Sequence, residues 1–216
     1  VGEVTIAPQK VARSLGALLD DTLSMQPQVN QIISKAYFHM RRIAKIRHCL
    51  SHDACAAAIH ATVTSHLDVQ NGLLFGLPQS CTKKLQLAQN NAARLLERVP
   101  RREHITPVLS RLHWLPIHAR MEFKILCLLH HSLHSPSAPC YLQELCAPLH
   151  SSRHLRSSDD PHKFLIPRVC NNYGSRSVFY LGAKAWNMLP LQLRQPQSTT
   201  TFKKNLKTFM YRKSYS

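Results

Sequence analysis

Carboxylates are scarce in this chain: 11 Asp and Glu stand against 28 Lys and Arg, a formal charge of +17 over 216 residues. Glycine is scarce too, with six in all, which argues against a glycine-rich nucleotide-binding fold. There is no G-x-S-x-G elbow, no phosphate-cradling glycine loop and no H-E-x-x-H pair, so the familiar hydrolase and metalloprotease signatures are missing. Apolar runs such as Ile125 to Leu129 are far too short to cross a bilayer. The opening Val1-Gly2-Glu3-Val4 has neither a basic start nor an apolar stretch, so export is not indicated. Seven cysteines, an odd count, do not read as a disulfide framework. A reducing compartment, nucleus or cytoplasm, is therefore expected.

What is present is apolar enough to fold, at 44% hydrophobic residues. A compact body with so large a positive excess repels itself unless a polyanion screens it. Nucleic acid is the first such partner and an anionic membrane surface the second.

Val4-Thr5-Ile6 and Ser14-Leu15-Gly16-Ala17-Leu18-Leu19 read as short strands or a hairpin. From Gln28 to His48 the pattern turns helical. Val29, Ile32, Ile33, Ala36, Tyr37, Met40, Ile43 and Ala44 recur at three and four, with Lys35, Arg41, Arg42, Lys45 and His48 off that stripe. Ser51-His52-Asp53 can cap a second helix, Ala54 to His66. A third is expected over Thr82–Arg98 and a fourth over Ile117–His134, stopped by Pro136 and Pro139. Residues 150–163 are polar and rich in Ser and His, a linker composition. Phe164-Leu165-Ile166 suggests a short strand, Ser175–Met188 a helix, and the last helix starts near Thr200 or Thr201. The expected class is mainly α: a helical bundle with a short amino-terminal β-hairpin and a smaller helical carboxyl-terminal segment.

Asp20-Asp21 follows an apolar strand, as metal-binding aspartates of polymerases do. A two-metal site needs a further carboxylate, and the first twenty residues offer only Glu3, so the pair reads as a strand end and a cap before the next helix. Asp159-Asp160 reads as loop chemistry. Cys49, His52, Cys55 and His60, and again Cys127, His130, His131 and His134, are zinc-capable residues without zinc-like pairings. They read as packed cysteines and solvated histidines. Trp114 and Trp186, each just ahead of a Leu-Pro, read as indoles sealing helix ends. No catalytic or metal-binding residue is assigned. The candidate phosphate-binding residues are Lys35, Arg41, Arg42, Lys45, Arg94, Arg98, Arg101, Arg102, Lys203, Lys204 and Lys207.

A series of motifs carries a resemblance. Ser65-His66-Leu67-Asp68 precedes Asn71-Gly72-Leu73-Leu74-Phe75-Gly76-Leu77-Pro78, and Gln89-Asn90-Asn91-Ala92-Ala93-Arg94-Leu95-Leu96 follows. Then come His104-Ile105-Thr106-Pro107-Val108-Leu109, Leu112-His113-Trp114-Leu115-Pro116-Ile117, Phe123-Lys124-Ile125-Leu126, Trp186-Asn187-Met188-Leu189-Pro190 and Phe202-Lys203-Lys204-Asn205-Leu206-Lys207. In order and spacing these resemble the region after the palm in reverse transcriptases of jockey-like LINE elements, which are non-long-terminal-repeat retrotransposons. The resemblance covers nearly the whole chain.

It implies palm-edge, primer-grip-like strands over residues 1–24, a helical thumb-like region over 25–149, the linker over 150–163, and a basic helical segment over 164–216. It implies an RNA and DNA template–primer duplex as partner and no membrane. The catalytic aspartates, their magnesium and the endonuclease domain would lie upstream of Val1, so no cofactor is expected here and the piece would be inactive alone. Leu67-Asp68-Val69-Gln70-Asn71 departs from the family, which usually shows a Tyr-Cys pair before the Asn. The alternative expectation is thus a decayed relic serving, if at all, as a non-catalytic protein-interaction module.

Overall fold

The computed structural model describes residues 9–135, 138–144 and 162–215. It is mainly helical with one two-stranded antiparallel hairpin, as the sequence pattern predicts. The chain divides into two units, one made of Val1–Gln70 and Leu77–Leu112, the other of Asn71–Gly76 and His113–Ser216.

The first unit opens with β1 (Val11–Ser14) and β2 (Ala17–Asp20), paired Ser14 to Ala17 through Val11 to Asp20. Leu15 and Gly16, at φ 46° and 87°, form the two-residue turn. The segment Ser14–Leu19, expected as strand or hairpin, therefore holds the turn itself: Ser14 ends β1, Leu15 and Gly16 reverse the chain, and Ala17–Leu19 lie in β2. Val4-Thr5-Ile6 lies outside the described residues.

Helix α1 (Gln26–Ile46) buries Val29, Ile32, Ala36, Met40 and Ile43. Pro27 in its first turn has no N–H to lose there. Helix α2 (His52–Ile59) starts at Ser51, whose hydroxyl accepts from the Ala54 N–H at 3.2 Å. It runs through a π turn (His60–Thr64) into α3 (Ser65–Asp68). Helix α4 (Gln79–Glu97) buries Leu85, Ala88, Ala92 and Leu96, and packs on α1 and α2. Helix α5 (Thr106–Arg111), begun by Pro107, ends the unit.

In the second unit α6 (Ile117–His134) has the predicted bounds. A short α7 (Cys140–Glu144) follows. Ser175–Met188, expected as one helix, is a 3-10 turn (Gly174–Arg176), a π turn (Val178–Gly182) and α8 (Ala183–Asn187). Phe164 makes only an isolated bridge, so the short strand expected there is absent among the described residues. Helix α9 (Leu191–Arg194) and α10 (Thr199–Tyr215) complete the unit. The core gathers Leu126, Leu129, Phe164, Trp186, Phe202, Leu206 and Met210. Burying each such side chain contributes about 1.5–3 kcal/mol.

Three helices begin directly after a Leu-Pro: α4 after Pro78, α6 after Pro116 and α9 after Pro190. The leucines, Leu77, Leu115 and Leu189, are all buried. Each dipeptide thus anchors a helix start in the core while proline fixes the backbone for it. Trp186 seals α8 as expected: it is fully buried, and its indole N–H donates to the His162 carbonyl at 2.8 Å.

The expected boundaries near residues 24, 149 and 163 do not coincide with this division. The segment read as one thumb-like region contributes to both units. Asn71–Leu74 forms a 3-10 turn that packs on α6, where a Cβ on Gly72 would sit 3.3 Å from the Ile125 side chain. Periodicity reveals which face of a helix is buried, but not against which partner. Most of the expected linker, residues 150–161, lies outside the described residues.

Candidate nucleic-acid interface

In the first unit, Lys35, Arg41, Arg42 and Lys45 are all exposed on α1. At 3.6 residues per turn they project away from the buried Val29–Ile43 stripe. Among the described residues none of the four lies within ion-pair distance of a carboxylate. The same face carries Phe38, 49% exposed, with the Arg42 guanidinium 5.6 Å from its ring centroid. An exposed aromatic among cations offers a flat apolar face beside positive charge. Charge counting passed over Phe38, although its phase off the apolar stripe was readable.

Beside it, the His39 ring stacks on His66 with centroids 5.4 Å apart. Burial, then Lys35 and His39, hold the His66 imidazole below its usual value.

The arginines after α4 divide. Arg94 is half-buried, and its guanidinium donates to the Pro100 carbonyl at 2.6 Å and the Glu103 carbonyl at 2.8 Å. It closes the loop, with two of its five N–H groups given to backbone carbonyls. Arg98, the left-handed cap of α4 at φ 55°, reaches the Arg47 carbonyl at 3.3 Å. Arg101 and Arg102 stand exposed in the turn that Arg94 holds. Arg47 likewise donates to the carbonyls of Leu50, Leu95 and Leu96.

In the second unit, Lys203, Lys204 and Lys207 are exposed on α10, whose other side buries Phe202, Leu206 and Met210. Lys213 on the same helix lies 3.9 Å from Glu122.

The acidic and metal-capable residues have structural roles. The Asp20 carboxylate accepts from the Thr22 hydroxyl at 2.6 Å and from the Ser24 and Met25 N–H groups at 2.9 and 2.8 Å. Burial alone would raise its carboxyl, but these bonds outweigh it and hold the group well below the usual carboxylate range. It braces the approach to α1. Asp159-Asp160 lies outside the described residues. His52 meets Glu97 at 2.8 Å, while Cys55 is buried and Cys49 exposed. Among the described residues no three His, Cys, Asp or Glu side chains converge to hold a metal ion.

His130 departs from the expectation of solvated histidines. It is fully buried, its ring 4.0 Å from that of Phe202 and nearly parallel at 13°. Neither ring nitrogen has a hydrogen-bond partner of good geometry. Burial, with His134 next, pushes its pKa down to about 4, against a weak opposing pull from the Gln197 backbone. The imidazole is therefore neutral and packs as an aromatic.

Comparison with known families, curated proteins and solved structures finds no match. No helix among the described residues is long and apolar enough to cross a membrane.

Proposed function

We propose that this chain is a carboxyl-terminal part of a non-long-terminal-repeat retrotransposon reverse transcriptase, and that it grips the RNA–DNA template–primer by backbone charge. The carrying observation is the outward face of α1: Lys35, Arg41, Arg42 and Lys45 around an exposed Phe38, with no carboxylate in ion-pair reach among the described residues. Cations fixed on a rigid helix suit phosphates at regular intervals, and an aromatic among them adds contact without sequence reading. The family assignment rests on the motif resemblance; the grip rests on the charge.

The test is fluorescence anisotropy of the full chain with a short RNA–DNA hybrid across a salt series. Each phosphate neutralised adds about 0.9 to the slope of log affinity against log salt on a duplex. Changing Arg41, Arg42 and Lys45 to Gln together is expected to reduce that slope by about 3 and to weaken binding uniformly across sequences. Absence of binding at low salt, or affinity indifferent to salt, refutes the reading.

A further inference from the structure

We propose that a small cleft in the first unit binds a single phosphate group, which under the proposed function is one phosphodiester of the gripped strand. Its walls are Gln28, Gln31 and Lys35 of α1, His66 of α3, Gln70 beyond it, and Gly16 at the hairpin turn. No carboxylate lines it.

The donors are placed by the fold. Gln28, in the cleft wall, is 4% exposed, and its Oε1 accepts from the Leu18 N–H at 2.8 Å, which fixes the amide. Lys35 is exposed and free of ion pairs among the described residues. The π turn His60–Thr64 carries one residue more per turn than an α-helix, so it rotates everything after it. Beyond it His66 lies against α1, stacked on His39. Lys35, His66 and Gln28 thus line one cleft, with no carboxylate in its walls.

The rim is held in a costly conformation. Leu15 and Gln70 take left-handed backbone, φ 46° and 56°, a region unfavourable for residues that carry a side chain. The Gln70 side-chain amide donates to the Leu15 carbonyl, tying the hairpin turn to the end of α3. Strain of this kind persists where surrounding structure enforces it, and it clusters at binding sites. The cleft is open to solvent, with about 300 Å³ counting the solvent side, room enough to admit a phosphate group.

The experiment follows histidine ring protons by NMR in the full chain. Inorganic phosphate replaces chloride at constant ionic strength, and His66→Gln assigns the signal. A saturable shift of His66 and His39, absent at exposed His48 and His104, is expected, and Lys35→Gln should abolish it. Equal shifts at all histidines, or a response that survives Lys35→Gln, overturn the subsite. The hybrid titration separates this from the reading it rests on. Hybrid binding with no loss of salt slope in Lys35→Gln removes the subsite and leaves the grip standing. A specific phosphate response without hybrid binding keeps the subsite and removes the grip. With both intact, Lys35→Gln lowers the salt slope by about 1.

Discussion

Helix α1 in the first unit and α10 in the second are both amphipathic and both basic, yet what lies beneath them differs. Two buried polar groups at the start of α1 are bonded: Asp20 takes three donors, and Gln28 receives the Leu18 N–H. Under α10 sits His130, buried against Phe202 with neither ring nitrogen in a well-formed hydrogen bond. The first unit uses buried polarity to position its cationic surface. The second tolerates a buried base only while it is uncharged. Similar surfaces thus rest on foundations with different sensitivities, and four perturbations separate them.

The largest expected effect is in the second core. Phe202 is fully buried, stacked on His130 and 5.9 Å from the Trp186 ring. Phe202→Ala should destabilise this unit by about 3–5 kcal/mol, through lost transfer energy and the cavity left behind. Both tryptophans, Trp114 and Trp186, belong to the second unit, so urea unfolding followed by tryptophan fluorescence reads it selectively. An unchanged urea midpoint would mean that the His130–Phe202 stack is not a foundation of that unit.

Acid should divide the units next. His130 has a folded pKa of about 4 against an ordinary 6.5, so the unfolded chain binds the proton more readily. The stability tied to its neutral form is complete above 6.5 and lost as pH falls from there toward 4. Its extent is up to roughly 3 kcal/mol. Asp20, also depressed, keeps its contribution until pH falls below its ordinary 3.8. Tryptophan fluorescence should therefore change at higher pH than the helical signal of the first unit. His130→Leu should flatten that dependence at little cost near neutrality, since no well-formed hydrogen bond is removed. Coincident transitions, with the same pH profile in His130→Leu, would end the distinction.

These contrasts bear on how far the sequence could be read. The bounds of α6 were legible because Pro116 starts it and two prolines follow its end. The outward cations of α1 were legible because a period of 3.6 separates Lys35, Arg41, Arg42 and Lys45 from the buried stripe. The π turns were not: one additional residue per turn changes register without changing composition, so Ser175–Met188 looked like ordinary helix. His130 was not legible either, because an imidazole beside His131 and His134 resembles a solvated cluster until Phe202 is placed against it. Arg94 marks a third limit. Charge spacing cannot distinguish a guanidinium available to a phosphate from one bonded to the carbonyls of Pro100 and Glu103.

That limit yields a prediction of intermediate size. Arg94→Ala should destabilise the first unit by about 1–2 kcal/mol by freeing those two carbonyls. Arg42→Ala, which removes an exposed side chain, should stay within about 0.5 kcal/mol of the parent in stability while weakening hybrid binding. Chemical denaturation paired with anisotropy checks both. An Arg94 variant of full stability and reduced salt slope would place that side chain with the phosphate contacts after all.

The smallest effect concerns the hairpin. Leu15 is 96% exposed at φ 46°, so its side chain packs on nothing while its backbone is strained. With Gly16 at φ 87° the turn is the two-residue kind that prefers Asn-Gly, because asparagine tolerates the left-handed region. Leu15→Asn should therefore stabilise the first unit by about 0.5–1 kcal/mol, leaving second-unit fluorescence unchanged. The Leu15 carbonyl that accepts from Gln70 belongs to the backbone and survives the substitution. Denaturation monitored by far-ultraviolet circular dichroism, with tryptophan fluorescence as the internal control, measures the gain. If Leu15→Asn is destabilising, the strain argument at the turn is wrong, and with it one support for the cleft beside it. If stability rises and phosphate still shifts His66, the leucine side chain is dispensable and the turn's backbone alone shapes the rim.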